Sequence, residues 1–127
     1  MIIADTDVLI DFLSAVEPMT ARVAALLESR TLRTTVITRF ELLSGARTPR
    51  QTKAIHDLLA AVPSLPLQSE EADRAARLRH DLDRQGAAIG MADSLIAGIV
   101  LAHGGKLLTR NQKHFTRVPG LKLESVE

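Results

Sequence analysis

The chain has 127 residues, enough for one domain with a buried core, and 46% of them are hydrophobic but only 2% aromatic. Its 16 Lys and Arg against 15 Asp and Glu give a formal net charge of +1, which excludes a generally basic nucleic-acid-binding tail. The sequence has no cysteine, so it excludes disulfides and thiolate zinc sites, and three Phe without Trp or Tyr argue against a base-stacking RNA platform.

Short apolar runs alternate with helical patterns in the first half of the chain. The predicted elements are a strand over residues 2–4, helices over 8–13 and 18–29, a strand over 32–37, and helices over 38–45 and from 48 onward. Asp5 or Thr6 is expected near the cap of the first helix. Thr38 is expected to cap the helix that carries Glu41.

The second half continues the alternation. Its predicted elements are a weak strand over residues 64–67, helices over 69–84 and 91–103, and strands over 106–109 and 121–124. This order predicts a single domain over residues 1–127, of the α/β class, with a mainly parallel β-sheet flanked by α-helices. The longest apolar stretch, residues 94–102, is too short to cross a bilayer, and the N-terminus lacks the basic region of a signal peptide. We therefore expect a cytoplasmic protein.

Two acidic residues follow predicted strands. Asp5 comes directly after the first strand, and ligands of parallel sheets bind beyond the carboxyl ends of the strands. The alternative is that Asp5 is only a helix N-cap. Glu41 lies three residues after Thr38, which is also the spacing of a capping box. Each residue therefore has a functional and a purely structural interpretation.

Asp93 is the only charged residue between Met91 and Ala102, in a helix that has no polar face. Burying an unpaired carboxylate costs several kcal/mol, so this side chain needs a partner. The alternative is a favourable interaction with the N-terminal end of the helix dipole. If Asp93 meets Asp5 and Glu41, their mutual repulsion raises their pKa values, and a divalent cation relieves it.

Ligands that are all carboxylates favour Mg²⁺ or Mn²⁺ over Zn²⁺. Such an ion orients and deprotonates water, and it stabilises the charge that develops on a phosphodiester during hydrolysis. The four histidines, at positions 56, 80, 103 and 114, have no ligand-like spacing and are expected at the surface or in packing roles.

Three segments together resemble the PIN domains, and most closely the VapC-type toxins of bacterial toxin–antitoxin pairs. They are "IIADTDVLIDFL", "TTVITRFELLSGA" and "GAAIGMADSLIAGIVLAHGGKLLTRNQKHFTRVPGLKL". The resemblance implies an endoribonuclease dependent on Mg²⁺ or Mn²⁺, acting on RNA such as tRNA or rRNA. It also implies a VapB-type antitoxin that fills the active-site groove, and a homodimer. Asp5, Glu41 and Asp93 match the acidic residues of the family, which are catalytic and bind the metal.

The resemblance also implies auxiliary residues. Asn111 stands where many PIN domains have a fourth acid, so it is expected to hold a metal-bound water or the substrate, although it also has the position of a helix cap. Thr6 and Thr109 are expected to position the carboxylates or the phosphate, and Arg110 to contact the scissile phosphate. Asp7 is an alternative auxiliary acid, or faces solvent.

Three other interpretations remain open at this point. Asp5-Thr6-Asp7 imitates the Asp-x-Asp of Asp-nucleophile phosphatases, although the downstream Lys and acidic pair of that class are missing. A response-regulator receiver needs an Asp at the end of a central strand, whereas Asp57 lies in a helical pattern. A PIN fold that binds without cutting is the third; the intact trio of acids speaks against it, and the Asn111 substitution keeps it open.

Overall fold

The computed structural model describes residues 1–126 and confirms the predicted α/β class. The strands are β1 (Ile2–Ala4), β2 (Leu32–Thr35), β3 (Ser64–Leu65), β4 (Lys106–Leu108) and β5 (Lys122–Leu123). The helices are α1 (Thr6–Leu13), α2 (Met19–Ser29), α3 (Val36–Gly45), α4 (Pro49–Ala61), α5 (Ser69–Arg84), α6 (Met91–His103) and α7 (Gln112–Phe115). The end of the predicted domain, residue 127, lies outside the described residues.

The five strands form one parallel sheet in the order β3-β2-β1-β4-β5. The first strand of the chain is therefore the central one, and its residues Ile3 and Ala4 are fully buried. Ala4 pairs in register with Leu108, so β1 and β4 end side by side. Residues that follow these two strands consequently meet at the same edge of the sheet.

Helices cover both faces of the sheet. On one face, α1 to α4 pack around a cluster that includes Val8, Val23 and Leu58, and on the other, α5 to α7 pack around Ile96 and Phe115. Both clusters are aliphatic apart from a few Phe rings, as the composition predicted. No helix within residues 1–126 is long and apolar enough to span a membrane.

The junction of β2 and α3 differs from the prediction. Thr35 is the N-cap, and its Oγ1 accepts a hydrogen bond from the Thr38 backbone N–H at 3.1 Å. Val36 and Ile37, predicted as strand, form the first turn of α3. The predicted capping box between Thr38 and Glu41 is therefore wrong. A Thr cap has ended a strand that the β-branched residues would otherwise continue.

Other boundaries differ by one or two residues. Helix α1 begins at Thr6 because the Asp5 side chain accepts from the Thr6 N–H at 2.8 Å, which makes Asp5 the cap. Strands β3 and β5 have two residues each instead of four, and β4 ends before Thr109. The predicted bounds of α5 and α6 are confirmed, and Gly104, the C-cap after His103, has a φ of +74° that suits glycine.

Glu71 in α5 is buried, whereas the other charged residues of that helix are exposed. Its Oε1 accepts a hydrogen bond from the Gln68 N–H at 3.0 Å, and its Oε2 lies 3.2 Å from Nε2 of His103. A buried carboxylate is stable here because both oxygens have partners.

Candidate functional site

Asp5 lies at the carboxyl edge of the central strand and is 6% exposed. Its Oδ1 accepts from the Thr6 N–H at 2.8 Å, and its Oδ2 accepts from the Thr109 hydroxyl at 2.7 Å. Asp5 is thus a helix cap and also a buried carboxylate at the edge where parallel sheets bind ligands. The two interpretations of this residue are compatible.

The electrostatic environment of Asp5 is unfavourable to its charge. Burial, and after it the nearby charges of Asp7 and Asp93, raise the pKa of Asp5 from 3.8 to about 7, against the hydrogen bonds from Thr109 and Thr6, which lower it. The fold therefore brings Asp93 into the electrostatic neighbourhood of Asp5. A buried carboxylate with acidic neighbours forms an environment that attracts a cation.

Glu41 is connected to the same edge through Thr6. The Thr6 hydroxyl donates to Oε1 of Glu41 at 2.7 Å and lies 2.9 Å from Oγ1 of Thr38, which is fully buried. Thr38 does not cap α3, but it does support the hydroxyl that holds Glu41. The expectation that Thr6 positions a carboxylate agrees with this contact.

Asp93 occupies the first turn of α6, with its side chain 25% exposed. Its Oδ2 lies 3.2 Å from Nδ1 of His114, and that nitrogen lies 2.8 Å from Nδ2 of Asn111. The sequence did not predict this contact of His114, because residues 93 and 114 are far apart in the chain. The signal that the sequence did contain is the i, i+3 spacing of Asn111 and His114 at the start of a short helix.

The loop after β4 also contacts α1. The backbone N–H of Arg110 donates to Oδ2 of Asp7 at 3.1 Å, and burial raises the pKa of Asp7. Nε of Arg110 lies 3.0 Å from Oδ2 of Asp11, a buried acid that the sequence did not single out. Asp7 is therefore half-buried and not solvent-facing, and Arg110 already has an acidic partner.

The receiver interpretation does not agree with the structure. Asp57 lies in α4, away from any strand end, and its exposed carboxylate forms an ion pair with Lys53 at 2.7 Å. The phosphatase interpretation needs Asp7 as a free acid–base group, whereas Asp7 accepts a backbone hydrogen bond.

The chemistry of the site suits a magnesium ion. Within residues 1–126, no three His, Asp or Glu side chains are clustered as ligands of one ion. Glu41 is held by Thr6, and Asp93 is turned toward His114. Mg²⁺ does not need three protein ligands, because it keeps several waters and binds through one or two carboxylates together with substrate phosphates. Asp5 and Asp93 are the carboxylates at this edge that could supply such a donor set.

A groove of about 310 Å³ extends from this site between α1, α3 and α4. Glu41 lines it, and its apolar lining includes Ile10, Leu13, Leu42, Ala46, Ala54 and Ile55. The lining of the groove therefore combines the Glu41 carboxylate with several apolar side chains.

A family model described as the PIN domain matches residues 2–121. The chain belongs to the PIN-domain family. Among PIN-domain proteins it is similar to the tRNA(fMet)-specific endonuclease VapC of Shigella flexneri, with 30% identity over 92 residues that cover 69% of this chain and 70% of that protein. It is also 44% identical over 62 residues to ribonuclease VapC1 of Rickettsia felis, of which it spans about half the length, 46%.

Solved structures of VapBC proteins have the same fold. VapBC2 from Rickettsia felis, bound to a DNA fragment from its promoter, matches with a TM-score of 0.83 and 25% identity over 98% of both chains. VapBC-1 from nontypeable Haemophilus influenzae matches with a TM-score of 0.81 and 28% identity, again over 98% of both chains.

Proposed function

We propose that this PIN-domain protein is a metal-dependent endoribonuclease and the toxin of a toxin–antitoxin pair. The observation that carries the proposal is the buried carboxylate of Asp5, whose pKa is raised to about 7 by burial and by the neighbouring acids. The names of the VapC relatives, a ribonuclease and a tRNA-specific endonuclease, support the choice of RNA as substrate. We propose tRNA as the preferred substrate and rRNA as the second candidate. An RNA substrate of this kind implies a cytoplasmic location.

Asp5, Glu41 and Asp93 are the proposed catalytic and metal-binding residues, with Mg²⁺ as the cofactor and Mn²⁺ as a substitute. When bound, the ion supplies an activated water and neutralises charge on the phosphodiester. Thr6 and Thr109 hold Glu41 and Asp5 in place by hydrogen bonds. Asn111 and Arg110 are the proposed auxiliary residues on the substrate side.

The proposal is tested with purified, antitoxin-free protein and labelled tRNA. We expect cleavage with Mg²⁺, no cleavage with EDTA, and a loss of about 100-fold or more for Asp93→Asn. Asp57→Asn is the matched control, because Asp57 is an exposed acid outside the site. Cleavage that persists in EDTA, or that Asp93→Asn leaves unchanged, contradicts the metal-dependent mechanism, and a chain that binds RNA without cutting it supports the non-catalytic alternative.

We propose that a VapB-type antitoxin occupies the groove between α1, α3 and α4. An apolar antitoxin segment would bury the lining of the groove, and a basic side chain of that segment would face Glu41. Ile10, 47% exposed, is on the groove, whereas the similarly exposed Val16 is outside it. We expect Ile10→Asp to release the antitoxin in a pull-down and to retain cleavage, and Val16→Asp to change neither. Equal binding by both variants contradicts this docking site.

We also propose a homodimer. Phe40 and Met91, 69% and 64% exposed, are large apolar side chains outside the groove lining and offer a surface for such contact. Sedimentation equilibrium of the isolated protein at micromolar concentration tests this, and a monomer contradicts it.

A further inference from the structure

The segment after β4 connects the two acids that we propose as metal ligands. The Thr109 hydroxyl donates to Oδ2 of Asp5 at 2.7 Å, and its oxygen accepts from the Asn111 backbone N–H at 3.0 Å. The Asn111 side chain then contacts His114, whose Nδ1 lies 3.2 Å from Oδ2 of Asp93. One short stretch of chain therefore reaches both carboxylates, and any shift in it changes their relative position.

Nδ1 of His114 has two neighbours but can carry only one hydrogen. A charged carboxylate is a stronger acceptor than a neutral group. The Nδ1–H group of His114 therefore donates preferentially to Asp93. The Asn111 amide can present its oxygen to the same N–H by a half-turn of its end group, which nearly preserves its shape. In that arrangement Asn111 and Asp93 both accept from His114, and the imidazole is fixed between them.

The other oxygen of Asp93 remains available. Within residues 1–126, Oδ1 of Asp93 has no hydrogen-bond partner. The position of His114 itself is determined by the next residue, Phe115, which is fully buried in the core and anchors α7. The imidazole is thus attached to a rigid part of the fold, although its own side chain is 44% exposed.

We propose that His114 is a positioning residue for Asp93: its Nδ1–H holds Oδ2 and leaves Oδ1 for the divalent cation, while Asn111 fixes the imidazole. This inference rests on the proposed metal-dependent function and adds to it a residue outside the acidic trio. Partners that orient a ligand in this way typically contribute 10- to 100-fold to metal affinity. His114 need not contact the ion or the substrate to have this effect.

The test measures Mn²⁺ binding to metal-free protein by electron paramagnetic resonance, without any RNA. We expect His114→Ala to weaken the Kd about 10-fold. His114→Asn should bind within about threefold of wild type, because its amide group has two N–H donors, one for Asp93 and one for the Asn111 oxygen. His114→Phe keeps a ring but has no donor, so it should be as weak as His114→Ala. His56→Ala, at an exposed histidine of α4, is the matched control and should leave the Kd unchanged.

The melting temperature of each metal-free variant reports the effect on folding, and His114→Phe, which keeps a ring, separates the loss of the donor from the loss of packing. His114→Phe keeps the test valid if His114→Ala does not fold. Wild-type affinity in both donor-less variants, or a His114→Asn variant as weak as they are, overturns the inference while leaving the metal site intact. Wild-type protein that binds no Mn²⁺ contradicts the proposed function as well.

Discussion

Asp5 lowers the free energy of unfolding of the metal-free protein at neutral pH. Its pKa is about 7 in the folded protein and near 3.8 when the chain is unfolded, so between these values the folded state holds a proton that the unfolded state has released. The stability of the metal-free protein therefore falls as the pH rises through this window, and the loss is complete above pH 7. A shift of this size corresponds to a penalty of up to about 4 kcal/mol.

We therefore expect Asp5→Asn to stabilise the metal-free protein at pH 8, by about 2 kcal/mol, because the amide is neutral but accepts one hydrogen bond fewer. At pH 4 the wild-type carboxyl is also neutral, and the gain should disappear. Urea denaturation in EDTA at both pH values measures this. An Asp5→Asn variant that is less stable than wild type at pH 8 would contradict the raised pKa.

Individual residues were predictable from the sequence where their local context was unusual. Asp5 after a buried strand and Asp93 in an apolar helix were both singled out for this reason. The contacts of Asp11 with Arg110 and of His114 with Asp93 were not, because each joins residues that are distant in sequence and ordinary in their local context. Such pairs depend on which strands are neighbours in the sheet. A local sequence pattern does not predict the strand order.

Among the elements, α3 depends on a buried cap that is also close to the site. Thr35 accepts from the Thr38 N–H, and Thr38 supports Thr6 and thus Glu41. We expect Thr35→Ala to cost about 1 kcal/mol in urea denaturation and also to reduce RNA cleavage. Thr48, which caps α4 by accepting from the Gln51 N–H at 3.1 Å, provides the control.

Thr48→Ala should cost a similar amount of stability with no change in cleavage at a temperature where both variants are folded. Equal cleavage by the two variants would show that the cap of α3 has no influence on the position of Glu41.

The close packing of α5 against α6 depends on the absence of a Cβ atom at Gly98. A Cβ at Gly98 would lie 2.8 Å from Cβ of Ala75 and 2.9 Å from the Glu71 carbonyl oxygen. We expect Gly98→Ala to destabilise the protein by about 1–3 kcal/mol, because the clash with backbone exceeds the gain in helix propensity. Gly45→Ala is the matched control, since a Cβ there meets no atom within 4 Å. Urea midpoints that fall equally for the two variants would contradict this account.

The ends of α5 and α6 were predictable because polar and glycine residues mark them, as Gly104 does for α6. The junction of β2 and α3 was not, because Thr34, Thr35, Val36 and Ile37 all favour strand by propensity. The tertiary contacts of Thr35 and Thr38, both fully buried, decide where the helix begins. Local propensity is a weak guide when a capping hydroxyl opposes it.

At the scale of the whole molecule, a bound cation should stabilise the fold. A ligand at 100 times its Kd adds about 2.7 kcal/mol to the free energy of unfolding. Because Asp5 must lose its proton to bind the ion, we expect Mg²⁺ to raise the melting temperature more at pH 8 than at pH 6. Thermal denaturation with and without Mg²⁺ tests this. The control, Asp93→Asn, should show little response, and a wild-type increase that is larger at pH 6 would contradict the role of Asp5.

The fold class was predictable because apolar strands alternate with amphipathic helices, which is the pattern of a parallel sheet between helical layers. The strand order was not stated by any local pattern. That order, with β1 between β2 and β4, is what brings residues 5, 41, 93 and 109 to one edge. The three acids were therefore predictable as candidates, whereas the hydrogen-bonded loop from Thr109 to His114 required the structure.

The central position of β1 also affects how the protein is made on the ribosome. Strand β1 is synthesised before β4 and must wait for it, because β4 lies far downstream in the chain and Thr109, which follows it, donates to Asp5. A polypeptide released just before that strand is translated would contain Asp5, Glu41 and Asp93, but it would lack Thr109 and the neighbour of the central strand on that side. Under the proposed function, we expect such a truncated product to be inactive, because Asp5 would lose the Thr109 hydroxyl that holds it.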